Sequence, residues 1–201
     1  MNTTHQSGRA GAPFAFVAAL TFLSFLFAST VLAPTASADH QWGTRHWYRA
    51  SSSPAAVVQI ADRTDIHPFP VTTATWAWDN PLSEVSLVYK WWNCDFAAKC
   101  VTVWEEPQIN GVLGVTSAPY DSNGHIIYSH IRLDPNQNDN DHKKIWVSTH
   151  EIGHALGLNH RADTNTSVMY PYAYESNGAA NSTTPDAHDV GMVDSIHAHT
   201  H

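Results

Sequence analysis

Basic residues are scarce in this chain of 201 residues. Ten Lys and Arg stand against 18 Asp and Glu, a formal net charge of -8. No basic stripe is present to neutralise phosphates, which excludes a nucleic-acid partner. Cysteine is almost missing: Cys94 and Cys100 are the two in the chain, in the short run Trp-Asn-Cys-Asp-Phe-Ala-Ala-Lys-Cys. No internal repeat is evident. Long apolar runs are missing too, except for Phe14 to Ala33. That run follows a short polar start containing Arg9 and precedes Ala36-Ser37-Ala38, an A-x-A pattern of small residues. The combination reads as a secretory signal peptide over 1–38, cleaved before Asp39. The competing reading is an uncleaved anchor, because about 20 mostly apolar residues can span a bilayer. Removal at the A-x-A site predicts a secreted, extracellular protein with no stable membrane association. In that compartment a Cys94–Cys100 disulfide is the default, with free thiols as the alternative.

What the chain does have is histidine, and three of its 14 histidines are spaced as a metal site. Residues 150–160 read His-Glu-Ile-Gly-His-Ala-Leu-Gly-Leu-Asn-His. On a helix, His150 and His154 lie one turn apart on one face, so two imidazoles reach one ion. Gly157 can leave the helical conformation at little steric cost and let the chain bring in His160 as a third ligand. Three neutral nitrogen donors leave a fourth zinc position open, the arrangement of a catalytic ion. Glu151, next to the first histidine, is placed to take a proton from a water activated there. The competing reading is an amphipathic helix with histidines on its polar face. The flanks favour the metal: Val147 and Ile152 are apolar, Ala155 is small, and Leu156 and Leu158 are core residues. After a polar loop from Arg161 to Thr166 comes Ser167-Val168-Met169-Tyr170-Pro171. A methionine in a tight turn below three histidines packs under the imidazoles without binding the ion.

These two motifs resemble those of the metzincin zinc peptidases, and Ser-Val-Met-Tyr-Pro is most similar to the matrixin branch. Pro171 stands where astacin- and serralysin-like enzymes carry a metal-binding tyrosine. Arg161 stands where adamalysin-like enzymes have aspartate and matrixins have serine or threonine. Matrixins tend to read Met-Tyr-Pro-x-Tyr, whereas here Ala173 separates Tyr172 from Tyr174, and either tyrosine could wall the primary specificity pocket beside Tyr170 and Pro171. The resemblance implies an α+β fold: a twisted mixed sheet with an edge strand over the cleft, a zinc helix, a methionine turn and a C-terminal helix. It also implies one catalytic Zn2+ and a protein or peptide substrate bound extended. Matrixins often hold an inhibitory cysteine in a propeptide; neither Cys94 nor Cys100 has its Pro-Arg-Cys-Gly context, so no propeptide of that type is expected. They also carry a second, structural zinc near the place of His130, but its usual histidine and aspartate companions upstream are missing here.

Along the chain, 39–55 reads as an extended N-terminal arm and 56–201 as one catalytic domain. Strands are expected at Val57 to Ala61, Val85 to Trp91 and Val101 to Trp104. A helix is expected over Val71 to Asp79, with Pro70 at its start, despite the β-branched Val71, Thr72, Thr73 and Thr75. Val112 to Ala118 is a small-residue strand, by resemblance the edge strand; an inner strand is the alternative. Alternation predicts Ile127, Ser129, Ile131 and Leu133 on one face of the next strand, with Ile126, Tyr128, His130 and Arg132 on the other. The Asp- and Asn-rich segment 134–141 fits a solvated loop, or weakly a Ca2+ site, although it has no EF-hand pattern. The metal helix is expected from Lys144 to Leu156 with Asp141 as cap, and a last helix from Pro185 through Ile196, with a structural role for Asp189. Residues 175–181 read as a flexible polar loop. His197, His199 and His201 form an alternating tail open to adventitious metal.

The resulting expectation is a secreted zinc endopeptidase with Glu151 as general base and acid. Two alternatives share the motif: a domain of the same fold that holds zinc but does not cut, and a hydrolase of a non-protein amide such as cell-wall peptide. Turnover itself discriminates the first, and substrate range the second.

Overall fold

The computed structural model describes residues 40–64 and 68–201. The signal-peptide segment, its cleavage site and Asp39 lie outside the described residues. Five strands and three helices follow the order β1 (Ala56–Arg63), α1 (Val71–Asp79), β2 (Val85–Trp91), β3 (Lys99–Glu105), β4 (Gly114–Ser117), β5 (Ser129–Leu133), α2 (Asp141–Ala155) and α3 (Ala187–His197). The strands form one mixed sheet in the order β2-β1-β3-β5-β4. The first three pairings are parallel, and β4 runs antiparallel to β5 at the edge. This is the α+β arrangement expected, and β4 is an edge strand rather than an inner one. No helix among the described residues is long and apolar enough to cross a membrane.

Helix α1 forms although its β-branched residues are weak helix formers. Val71, Ala74, Thr75 and Trp78 are buried at helical spacing, so packing overrides propensity. Trp78 donates from Nε1 to the Thr149 carbonyl at 2.8 Å, locking α1 to α2. Between helices and sheet lies one core, with Val58, Ile60, Val101, Val103, Ile131 and Leu133 from the strands and Val147, Ile152 and Ala155 from α2. The Cys94–Cys100 disulfide closes the turn between β2 and β3.

Several boundaries differ from expectation. The alternation of β5 begins only at Ser129. Ile127 is exposed and Ile126 is buried, because the chain before Ser129 is not yet in the sheet: Ile126 donates to the His46 carbonyl at 2.7 Å and Ile127 to that of Pro119 at 2.9 Å. The cap of α2 is Asn140, whose side chain accepts from Lys143 N, and Asp141 is the first helical residue. The last helix begins at Ala187 rather than Pro185. Asp186 caps it, and Asp189 completes a reciprocal capping box. Segment 134–141 is not a solvated loop throughout. Asp134 and Asn138 are buried; the Asp134 carboxylate accepts from Ile109 N and Asn136 N, and the Asn138 amide donates to the Leu113 carbonyl. Residues 175–181 close into a small hairpin, with Glu175 N donating to Ala179 O at 2.8 Å.

The expected arm proves to be part of the packing. Gln41 bridges antiparallel to Leu158, and Trp42 N donates to the Gly157 carbonyl at 2.7 Å. Trp47 is fully buried; its Nε1 donates to the Ala155 carbonyl at 2.9 Å, and its backbone N–H to His197 Nε2 at 2.9 Å. The arm thus covers the last turn of α2. Trp47→Ala should cost about 3–5 kcal/mol of unfolding free energy, the usual range for truncating a buried aromatic side chain. Urea denaturation of the two proteins measures it, and a loss under about 1 kcal/mol, well below that range, would mean that the arm does not brace the helix.

Candidate active site

Helix α2 presents His150 and His154 from successive turns. Leu156 and Gly157 then end it, with Gly157 at φ +94°. That conformation favours glycine, and space demands it as well: a Cβ there would lie 2.4 Å from the Arg45 carbonyl oxygen of the arm. The reversal delivers His160. The Nε2 atoms of His150 and His154 are 3.0 Å apart, and those of His150 and His160 are 3.2 Å apart.

The ring orientations show why three nitrogens are so close. His150 Nδ1 donates to the Val168 carbonyl at 2.8 Å, and His154 Nδ1 to the Leu158 carbonyl at 2.8 Å. Each of these bonds places the proton on Nδ1 and leaves a bare lone pair on Nε2. Burial holds all three histidines below their ordinary pKa, His154 at about 4, and the neighbouring imidazoles add to the effect at His150. The Nε2 lone pairs of His150 and His154 therefore face each other with no proton between them, an arrangement that calls for a cation. Four-coordinate zinc, with Zn–N of about 2.0–2.1 Å, would set its nitrogens about 3.4 Å apart, near the observed spacing. The donor set fits zinc.

The surroundings fix these rings. Trp146, one turn before His150, stacks on it with centroids 4.4 Å apart. Met169 is fully buried against α2, and a Cβ on Gly153 would meet its Sδ at 2.3 Å, so the methionine fills the space that Gly153 leaves. The methionine turn is tied down by Ser167, which donates to Asp189 Oδ1 at 2.7 Å and accepts from Met169 N at 3.0 Å. Arg161 donates backbone to the Met169 carbonyl and side chain to Asp186 Oδ2, each at 2.9 Å. It joins the third-histidine segment to the start of α3.

Glu151 is buried between α2 and β4. Burial pushes its carboxyl up to about 7, and the Thr116 hydroxyl, donating to Oε2 at 2.5 Å, pulls the other way. A dication at the three nitrogens would pull in the same direction as Thr116. Room for the carboxylate comes from Gly114 of β4, where a Cβ would lie 2.9 Å from Glu151 Cγ and 2.7 Å from Val147 Cγ2.

A cleft of about 430 Å3 opens beside His150, Glu151 and His160, between the segment 111–114 and the wall 171–174. Pro171, Tyr172 and Tyr174 line it, and Tyr170 does not; Tyr170 borders a neighbouring hollow with Tyr172 and Tyr174. Tyr174 is pinned by its hydroxyl, which donates to Asn140 Oδ1 at 3.2 Å, while Tyr172 is exposed. Sequence reasoning missed Trp146, Thr116 and Gly114. The spacing of Trp146, four residues before His150, was a usable signal. No local pattern marks Thr116 or Gly114, whose roles arise from β4 crossing α2. His130, near the place where matrixins carry a second ion, contacts Thr102 through Nδ1, and no candidate metal cluster among the described residues includes it.

A mixed sheet with an edge strand over a cleft, a histidine helix and a buried methionine turn defines the metzincin class of zinc metallopeptidases. A family model, Peptidase_M10: Matrixin, matches residues 75–198, and the chain belongs to that family. Solved structures similar to it include high choriolytic enzyme 1, a hatching enzyme zinc-protease from Oryzias latipes (Medaka fish). That match has 11% identity and a TM-score of 0.48, and covers 78% of this chain and 96% of that one. Two structures of myroilysin also match, at 11% and 14% identity with TM-scores of 0.46 and 0.42; both cover 80% of this chain, and 99% and 89% of theirs. A search of curated proteins finds no match.

Gly114→Ala should displace the Glu151 carboxylate without touching the three histidines. Peptide hydrolysis is expected to fall about tenfold to a hundredfold, the scale of a small misplacement at a reacting centre. Zinc content should stay as in the parent. Steady-state kinetics with metal analysis checks this, and unchanged turnover would show that the close approach of β4 is not needed.

Proposed function

We propose that this chain is a secreted zinc endopeptidase whose metal is held by His150, His154 and His160. The observation that carries the proposal is the convergence of the three Nε2 atoms beside a buried carboxylate at the wall of an open cleft. Bound there, zinc supplies Lewis acidity, which acidifies the attacking water and polarises the scissile carbonyl.

The chain's own residues do the rest. Glu151 takes the proton of the attacking water and passes it to the leaving amine nitrogen. Thr116 holds that carboxylate in one orientation through its hydroxyl. Trp146 keeps the His150 ring from turning, and the carbonyls of Val168 and Leu158 keep the tautomers of His150 and His154 fixed. The free edge of β4 offers backbone groups to a substrate laid down as an added antiparallel strand. Pro171 and Tyr174 form the wall against which a substrate side chain would rest, with Tyr172 at the rim.

The test is a digest of casein and of a peptide library by purified protein, with and without a chelator, beside Glu151→Gln. The parent should cut within chains, and the chelator should abolish cutting. Glu151→Gln should keep its zinc and lose about 10²–10⁴-fold in rate, the usual contribution of a general base. Near-normal turnover in that variant would sink the role of Glu151. Zinc content with no cleavage by the parent would favour a silent binding domain. Export is tested separately: intact mass of the protein recovered outside the cell should place its first residue at Asp39, and a retained 1–38 segment would contradict secretion by signal cleavage.

A further inference from the structure

A second group of imidazoles lies away from the active site, where three separated segments meet. His46 of the arm, His125 before β5 and His201 of the tail bring their ring nitrogens within 4.8 Å of one another. The tail's His199 also reaches in, with its Nε2 2.9 Å from His46 Nε2, while His201 Nε2 is 3.4 Å from the same atom.

The backbone builds this meeting point without help from the rings. His46 N donates to the Gly124 carbonyl at 3.0 Å and its own carbonyl accepts from Ile126 N at 2.7 Å, which sets His46 beside His125. The tail is held by Arg49, whose Nη2 donates to the Ala198 carbonyl at 2.7 Å and whose carbonyl accepts from His201 N at 3.2 Å.

Tautomers are assigned here as they are in the active site. His46 Nδ1 donates to the Thr44 carbonyl at 2.9 Å, leaving its Nε2 as an acceptor. His125 Nδ1 lies 3.1 Å from Asp121 Oδ2, and that carboxylate is itself held by the backbone N–H groups of Asn123 and His125. A carboxylate behind the remote nitrogen of an imidazole is the usual support of a metal-binding histidine. A hydrogen bond from His199 could satisfy the lone pair of His46. It cannot satisfy His125 Nε2, which is buried and has no hydrogen-bond partner.

We propose that His46, His125 and His201, with His199 as an exchangeable fourth donor, form a second metal site that takes a divalent transition-metal ion of the zinc type. Neutral imidazole nitrogens suit such an ion and not calcium or magnesium, which prefer oxygen. The site does not use His130. Its role is structural: it clips the tail and the 121–126 turn onto the arm, one residue from Arg45, whose carbonyl packs against Gly157. An ion there would steady the turn that delivers His160.

The probe is zinc alone. Metal-free protein, prepared by dialysis against a chelator, is titrated with zinc and passed through gel filtration, and bound metal is counted by elemental analysis. The parent should retain two equivalents. His125→Ala and the double variant His199→Ala/His201→Ala should retain one and still cleave peptides. His154→Ala should also retain one, and zinc should still raise its melting temperature. The tail variant changes only exposed side chains, so it decides the matter even where His125→Ala folds poorly. A single equivalent in the parent overturns the proposal. So do two equivalents in the tail variant, or two in His125→Ala, the latter because the tail would then bind metal by itself. A parent that loses no zinc on His154→Ala would instead count against the active-site ligands, so the two readings fail separately.

Discussion

Three imidazole nitrogens with their lone pairs turned toward one point are the constraint on which the rest of this structure depends. Neutral acceptors about 3 Å apart repel one another unless a cation lies among them. The fold holds two of them there with backbone carbonyls: Val168 from the methionine turn behind His150, and Leu158 from the chain beyond Gly157 behind His154. Both carbonyls sit in segments that must themselves be placed. The turn that contains Val168 hangs from Asp189 through Ser167, and the segment that contains Leu158 is paired with the arm at Gln41. A local motif of eleven residues therefore draws in α3, the methionine turn and the first described residues of the chain.

The same logic explains the close packing around Glu151. In the proposed mechanism its carboxylate must sit near the ion and still be held in one orientation. Gly114 removes the side chain that would collide with it, and Thr116 supplies the one hydroxyl that anchors it. Both come from the edge strand, so in the proposed reaction the strand that would offer substrate a pairing edge would also aim the base. One four-residue element, β4, therefore packs against the carboxylate and borders the cleft.

Much of the site was legible because its chemistry is local. Helical spacing placed His150 and His154 on one face, Gly157 announced the reversal, and Met169 followed within ten residues of His160. Helix α1 and strand β2 were readable from pattern to the residue, and β1 and β3 with ends shifted by one or two residues. What stayed hidden is what arises between segments. Ile127 carried the right alternation but lies before the sheet begins, where bonds to Pro119 and, from its neighbour Ile126, to the arm replace the sheet ladder. Asp134 reads as one more acidic loop residue, yet it is buried by accepting backbone N–H groups. The arm looked like a polar, aromatic leader, and nothing in its order of residues showed that Trp47 would enter the core or that His46 would meet His125 and the tail. Arg161 departs from the matrixin habit at its position. The structure gives it a purpose, an ion pair with Asp186 that joins the third histidine to the cap of α3.

The central claim is that His150, His154 and His160 hold one zinc ion through Nε2. Diffraction from crystals of the purified protein, recorded on both sides of the zinc absorption edge, tests it most directly. The account predicts an anomalous peak among the three Nε2 atoms, about 2.0–2.1 Å from each, the usual zinc–imidazole distance. Absence of that peak from zinc-loaded crystals, or an ion there ligated by another set of residues, would contradict it.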